Sequence, residues 1–224
     1  MSLRSIEELY EVAASTKGGA AEFEKTLGKP RSVEELSKVG DDRWLSSMSK
    51  AVFQAGFNWK VVEKKWPRFE EVFDGFTVGR MALISDDDFD TYLKTEGIIR
   101  HAKKILSIRD NAIFLNDLAK QNGSGGQTIA KWPKEDFSGL LWMMKKQGSR
   151  LGGATAQYFL RDMGVDGYIL SRDVNRALIR EGVLSKDPSS RRDLEAIQEA
   201  FNHWRDQSGR PLMQISRILA CSVE

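Results

Sequence analysis

The apolar positions of this chain recur at intervals of three and four almost from end to end, the spacing that places them on one face of an α-helix. Ile6, Leu9 and Tyr10 open such a face, and Lys17-Gly18-Gly19 breaks it. Ala21 to Leu27 reads as a second helix, stopped by Gly28 and Pro30. Ser32 and Glu35 have the spacing of a capping box, ahead of a short helix carrying Val33 and Leu36. Trp44, Leu45, Met48, Val52 and Phe53 form a stripe that ends at Gly56. A helix is predicted from about Asn58 to Lys65, and Pro67, whose fixed φ suits a first helical turn, starts another. Ser85 with Asp88 is a further capping box, before Phe89, Tyr92 and Leu93, and Gly97 closes that helix. The longest stripe begins at Ile98 and runs through Ile105, Ile108, Ala112 and Leu115 to Leu118. NGSGGQ (122–127) predicts a flexible interruption and a boundary between lobes. Beyond it, helices are predicted over 135–147, 153–163, 173–181, 190–207 and 211–221. Trp66 and Trp142 sit among apolar neighbours at helical spacing and are assigned to the core. With no long alternating run of β-branched residues, the pattern predicts an all-α protein of short helices and brief connections.

Composition narrows the functional classes. A chain of 224 residues can build one well-buried core or two small lobes. It is 41% hydrophobic and 29% charged, as ordinary globular proteins are. No window is apolar enough to span a bilayer, and the charged stretch Met1 to Tyr10 lacks the apolar core of a secretion signal. The single cysteine, Cys221, excludes an internal disulfide framework and fits a reducing, cytoplasmic setting. His101 and His203 lie far apart, so no metal site is expected from Cys and His. A net charge of +2, from 34 basic and 32 acidic residues, rules out a generic polycation. The charge is nevertheless uneven. Residues 20–42 and 85–90 lean acidic, whereas 143–161 contain Lys145, Lys146, Arg150 and Arg161 with no acid until Asp162. That arrangement suits one surface facing a polyanion.

Within the basic region lies GSRLGGATA (148–156), between two helical stripes. Leu140, Leu141 and Met144 give the preceding helix its buried side, and Ala154, Ala156, Phe159, Leu160 and Met163 continue on the next. Gly148 stands where a helix C-cap requires positive φ. Leu151 is placed to plug the angle between the helices, and Gly152 and Gly153 open the second one. A helix start rich in glycine lets a phosphate approach backbone amides that have no partner within the helix. Arg150 and Thr155 can add contacts, and Lys145 and Lys146 add positive field. This is the layout of a helix-hairpin-helix over about 136–163, which grips a DNA backbone without reading sequence. A tight helix connection that binds nothing has the same spacing.

A second loop, QAGFNW (54–59), also joins two helices. Gly56 ends one and Asn58 can cap the next, leaving Phe57 at the tip of the turn. A bulky apolar side chain there can wedge between base pairs, or it can fold into the core. Trp59 has the same two readings, as a stacking plate for a base or as core.

Taken with GIIRH (97–101), these loops resemble one family, 3-methyladenine DNA glycosylase I, within the helix-hairpin-helix glycosylase superfamily. Gln54-Ala55-Gly56-Phe57-Asn58-Trp59 is similar to the family's QAG-L-S-W segment. Gly97 to His101, with Lys104-Ile105 and Asn111-Ala112, is similar to its GIIRH…KI segment. Met144 to Gly148 followed by Gly153-Ala154-Thr155 is similar to its LKKRG…VGTT hairpin. Order and spacing agree from about Trp44 to Arg180. The resemblance implies a single glycosylase-like domain over 1–224, with two helical lobes flanking a cleft. It implies a monomer that binds duplex DNA carrying a damaged base and hydrolyses the N-glycosidic bond of alkylated purines such as 3-methyladenine after flipping the nucleotide. Trp59 would stack on the cationic base, Gln54 would bond a base edge, Phe57 would fill the vacated stack, and Gly148 to Thr155 would hold phosphates.

The departures are as specific. The family's zinc site of two Cys and two His cannot form, since Asp173 and Ala177 stand where its C-terminal His and Cys would fall, so no cofactor is implied. Ala51 replaces the family's base-recognising Glu. The family's N-terminal tyrosines and tryptophan have no match, because residues 11–43 hold Phe23 as their one aromatic. Lys186 to Glu224 extends past the family's usual end, and helices around Trp204 and Ile215–Leu219 would tie the termini down in place of zinc. Asp173 lies near the position from which superfamily relatives stabilise the sugar cation, though it can equally N-cap the helix over 174–181. A DNA-binding relative that keeps the phosphate clamp without the chemistry is the alternative function.

Overall fold

Four helices start at a serine that the sequence follows, three residues later, with an acid. In this computed structural model, which describes residues 3–223, Ser5 with Glu8, Ser32 with Glu35, Ser85 with Asp88 and Ser190 with Asp193 all form reciprocal capping boxes. Each box satisfies backbone amides that a helix N-terminus leaves unpaired. In chain order the α-helices are α1 (Ile6–Ser15), α2 (Ala20–Lys25), α3 (Val33–Ser37), α4 (Asp41–Gln54), α5 (Trp59–Val72), α6 (Val78–Ala82) and α7 (Asp86–Lys94). They continue as α8 (Ala102–Asn122), α9 (Gly125–Ala130), α10 (Phe137–Gln147), α11 (Ala154–Met163), α12 (Arg172–Arg180), α13 (Arg191–Ser208) and α14 (Leu212–Cys221). Among the described residues there are fourteen α-helices, two single turns of 3-10 helix and no strand, as the hydrophobic periodicity predicts.

Three departures from the sequence reading have a clear physical cause. First, α5 runs straight through Pro67. The proline is exposed, so the hydrogen bond it forfeits lies on the solvent side, while Val62, Trp66 and Phe69 are buried on either side of it. The Trp66 ring stacks on Phe69 at 4.8 Å and on Phe76 at 5.4 Å, and this aromatic column keeps the helix continuous. Second, α8 begins at Ala102, and Ile98 reaches the core from a non-helical segment that follows the positive φ of Gly97. Third, NGSGGQ is a packed elbow. Gly123 ends α8 in the left-handed conformation, and Ser124 caps α9. The Asp41 carboxylate accepts from Ser124 Oγ and from the amides of Gly125 and Gly126, at 2.6, 3.0 and 2.8 Å. A Cβ on Gly126 would sit 2.3 Å from the Trp44 ring, so this glycine serves close packing rather than flexibility.

The chain divides into two compact units. One comprises 3–31, 133–142 and 164–223. In it α14 packs along α1 and α12, around Tyr168, Phe201, Trp204, Ile215 and Leu219. The Trp204 indole donates to the Arg4 carbonyl at 3.0 Å. The buried Glu181 carboxylate takes Arg4 in two hydrogen bonds, of 3.1 and 2.6 Å, and Arg180 in a third of 2.7 Å. Arg180 also reaches the Ser222 backbone carbonyl and hydroxyl. Of these bonds, that of Trp204 ties a helix of the C-terminal extension to the N-terminal segment, and those of Glu181 tie the end of α12 to it. The other unit comprises 32–132 and 143–163. Its core is α4, packed against α8 and α11, with Trp44, Met48, Phe53, Leu115 and Phe159 buried. The glycine turn, QAGFNW and GIIRH all belong to this second unit.

Candidate nucleic-acid interface

The glycine turn is built from buried groups outward. α10 ends at Gln147, and the Gly148 amide returns to the Met144 carbonyl at 2.9 Å. Gly148 does not have positive φ, contrary to the C-cap expectation. Its glycine is required for space, since a Cβ would lie 2.6 Å from Leu151 Cδ1 and 2.8 Å from the Met144 carbonyl oxygen. Leu151 is the buried plug that the sequence predicts. Positive φ falls instead on Arg150, at 61°, and on Gly153, at 57°. α11 begins at Ala154, one residue later than predicted, so Gly152 and Gly153 form the approach to it. Asn111 holds this geometry. Fully buried on α8, it accepts from the Ser149 amide at 2.8 Å and donates to the Ser149 carbonyl at 3.0 Å. The residue next to that clasp is Arg150, which is exposed in the left-handed conformation that disfavours any side chain. Lys145 and Lys146 are exposed on the last turn of α10, and Thr155 is half-buried on the first turn of α11.

QAGFNW is likewise fixed from within. Gly56 turns the chain with φ of 79°, and the Asn58 side chain caps α5 by accepting from the Lys60 amide at 3.0 Å. Phe57 is 39% exposed and Trp59 is 48% exposed, so neither takes the core option left open by the sequence. Beneath Phe57 lies a residue that sequence reasoning missed, Lys104, only 3% exposed. Its Nζ donates to the carbonyls of Val52, Phe53 and Ala55 at 2.8, 3.1 and 2.6 Å. The ammonium thereby caps the C-terminus of α4, where carbonyls lack partners and the helix dipole is negative. It also sits 4.5 Å from the Phe57 ring centroid, a cation–π contact under the loop tip. Burial, together with the positive charge of Arg150, pushes the lysine down to about 8. A signal for it exists: Lys104, Ile108, Asn111 and Leu115 recur at four, three and four residues, so both polar residues fall on the buried stripe of α8.

Trp59 meets the edge of Tyr158 on α11, with ring centroids 5.4 Å apart and planes at 86°. The two loops are therefore joined through an aromatic pair as well as through α8. Gln54 is placed differently from the sequence expectation. It is buried, and its amide donates to Glu63 Oε1 at 3.2 Å, while Glu63 Oε2 pairs with Lys50 at 2.8 Å. Ala51 is buried on the same helix. Lys50 and Glu63 line a cleft of about 440 Å³ with Arg43, Trp66, Glu70 and Asp162. Burial raises the Asp162 carboxyl above its usual range. Burial pushes Glu70 the same way, but hydrogen bonds from Arg43 and Ser46 prevail and hold it below its usual range. Asp173 lies in the other unit, exposed on the first turn of α12 and 3.9 Å from Arg176. The cap of α12 is Ser171, whose hydroxyl accepts from the Val174 amide, so the capping role offered to Asp173 is filled by another residue. Among the described residues, no group of three or more His, Cys, Asp and Glu is placed to hold a metal ion, and no helix is long and apolar enough to cross a membrane.

Known structures share this architecture. The 8-oxoguanine DNA glycosylase of Thermotoga maritima is similar with a TM-score of 0.57 at 17% identity, covering 96% of this chain and 95% of its own. The Methanocaldococcus jannaschii 8-oxoguanine glycosylase/lyase, in complex with a 15mer DNA, is similar with a TM-score of 0.54 at 16% identity, covering 95% of each chain. The 3-methyladenine DNA glycosylase I from Staphylococcus aureus is similar with a TM-score of 0.52 at 19% identity, covering 64% of this chain and 84% of its own. At these identities the likeness speaks for the fold. No curated protein sequence matches. The methyladenine glycosylase family model matches residues 36–150, which is 115 of 224 residues and takes in QAGFNW, GIIRH and the start of the glycine turn. This chain belongs to the methyladenine glycosylase family.

Proposed function

We propose that this protein is a DNA glycosylase that releases cationic, N-alkylated purines such as 3-methyladenine from duplex DNA after extruding the nucleotide. The observation that carries the reading is that one unit holds an exposed Trp59 and an exposed Phe57 on a turn anchored by Lys104, joined through α8 and Tyr158 to a glycine turn bearing Arg150. In this reading Arg150 and the amides at the start of α11 take phosphates, which positions the duplex without reading its sequence. Phe57 occupies the stack that the extruded nucleotide leaves. Trp59 offers its π face to the alkylated base, and a cation is favoured there over a neutral purine. The electron pair of the breaking N-glycosidic bond neutralises the base as it departs. Water then bonds to the sugar C1′ and loses a proton. Such a leaving group requires little acid assistance from the protein, so no step depends on Asp173.

One observation favours a second reading. Ala51 offers no carboxylate and Gln54 is occupied by Glu63, so a base edge finds fewer partners here than the family pattern implies. That suits a DNA-binding relative that grips without cutting. Base release from methylated duplex DNA separates the two, with Trp59→Ala and Arg150→Ala as variants. The expected result is release by the wild type, at least a tenfold loss in Trp59→Ala, and weaker DNA binding with unchanged base preference in Arg150→Ala. Arg150-dependent DNA binding with no base released would establish the second reading instead.

A further inference from the structure

A groove of about 580 Å³ runs along α5 and shares no lining residue with the glycine turn. Lys60, Lys64, Lys65 and Arg68 line it at positions i, i+4, i+5 and i+8, and no carboxylate does. Its far wall is Gly97, where a Cβ would come 2.9 Å from Arg68 Cγ. Lys65 donates to the Gly97 carbonyl at 3.1 Å and fixes that wall. Arg68 pairs with Glu71 at 2.8 Å, but both side chains are at least half exposed, and such a pair yields readily to a stronger anion. Lys60 and Lys64 are exposed and have no acidic partner among the described residues. Glu63, between them in sequence, turns to Lys50 and Gln54.

Two features say which anion fits. Val61 is 46% exposed among these cations, so the groove offers apolar surface beside its charges. A polymer that alternates phosphates with apolar sugar faces matches that mixture better than a small free anion does. The length agrees as well. Eight residues of helix advance about 12 Å, the axial rise of three to four nucleotides on one strand of a duplex. The groove also starts next to Trp59, the first residue of α5.

We infer that the α5 groove is a second phosphate-binding strip, which takes the sugar–phosphate backbone of duplex DNA beyond the nucleotides held by the glycine turn. The inference rests on the DNA-binding part of the proposed function and is independent of base release. It is tested by the salt dependence of binding to an undamaged duplex, measured for the wild type, Lys60→Ala/Lys64→Ala, Lys60→Arg/Lys64→Arg and Arg150→Ala. Each lost phosphate contact removes roughly 0.9 from the slope of log K against log salt. The alanine pair is expected to lower the slope by roughly 2 and to weaken binding about tenfold or more at low salt, while the arginine pair keeps the wild-type slope. If Arg150→Ala weakens binding but the alanine pair retains wild-type slope and affinity, the groove is overturned and the proposed function stands. If the wild type fails to bind duplex DNA, the proposed function falls and the groove inference falls with it.

Discussion

Lys104 and Arg150 show how much of the interface depends on single side chains in uncomfortable positions. Lys104 is a buried cation whose partners are carbonyls rather than a carboxylate. Its folded value of about 8 lies below the ~10.4 of an unfolded lysine, so between those values the unfolded chain binds more protons than the folded one. Stability is therefore expected to rise with pH from about 8 to 10.4, by up to about 3 kcal/mol. The same deprotonation removes the cation beneath Phe57. Denaturant titrations across this window are expected to show the rise in the wild type and not in Lys104→Met. A flat wild-type profile would contradict the reading that burial makes this cation costly and lowers its folded value. Arg150 poses the opposite case, an exposed residue with φ of 61°. Arg150→Gly is expected to raise stability by roughly 0.5–1 kcal/mol through relief of left-handed strain, while weakening DNA binding. A variant that loses both stability and binding would mean that the guanidinium is structural.

At the scale of elements, the sequence reveals helices well and their junctions poorly. Capping boxes at Ser32 and Ser85 are legible because they depend on two residues three apart. Pro67 is misleading, because the aromatic stacking that keeps α5 continuous involves Phe76, outside the helix. NGSGGQ is misleading for a similar reason. Glycine and serine mark a loop locally, but Asp41 and Trp44, some eighty residues earlier, determine that these glycines are packed. Gly126→Ala should therefore cost at least about 2 kcal/mol in denaturant unfolding, because a methyl group there overlaps the Trp44 ring. A cost under about 0.5 kcal/mol, the usual scatter of a surface substitution, would restore the flexible reading. The glycine turn combines both lessons. Leu151 is legible as its plug, whereas Gly148 is glycine for want of space and not for its φ.

For the whole molecule, the family is legible because three separated segments keep their order and spacing, and the family model covers 36–150. The division of the chain is not. The second unit is interrupted by 133–142, so α10 begins in one unit and ends in the other, a pattern that no local composition signals. The ties of the other unit are equally non-local, with Trp204 reaching Arg4 and Arg180 reaching Ser222. Phe57, Trp59 and Arg150 can be named from the sequence as candidates, but the exposure of the two aromatics, left open there, is decided by the structure. The candidate site was illegible where a polar residue is buried to hold those three, as with Lys104 and Asn111. The most direct measurement of the central claim is the free base liberated by the purified wild-type chain from duplex DNA containing 3-methyladenine. The expected result is release of 3-methyladenine well above the spontaneous rate, with Trp59→Ala reducing it at least tenfold. Release no faster than from DNA alone, by a chain that still binds that duplex, would contradict the claim.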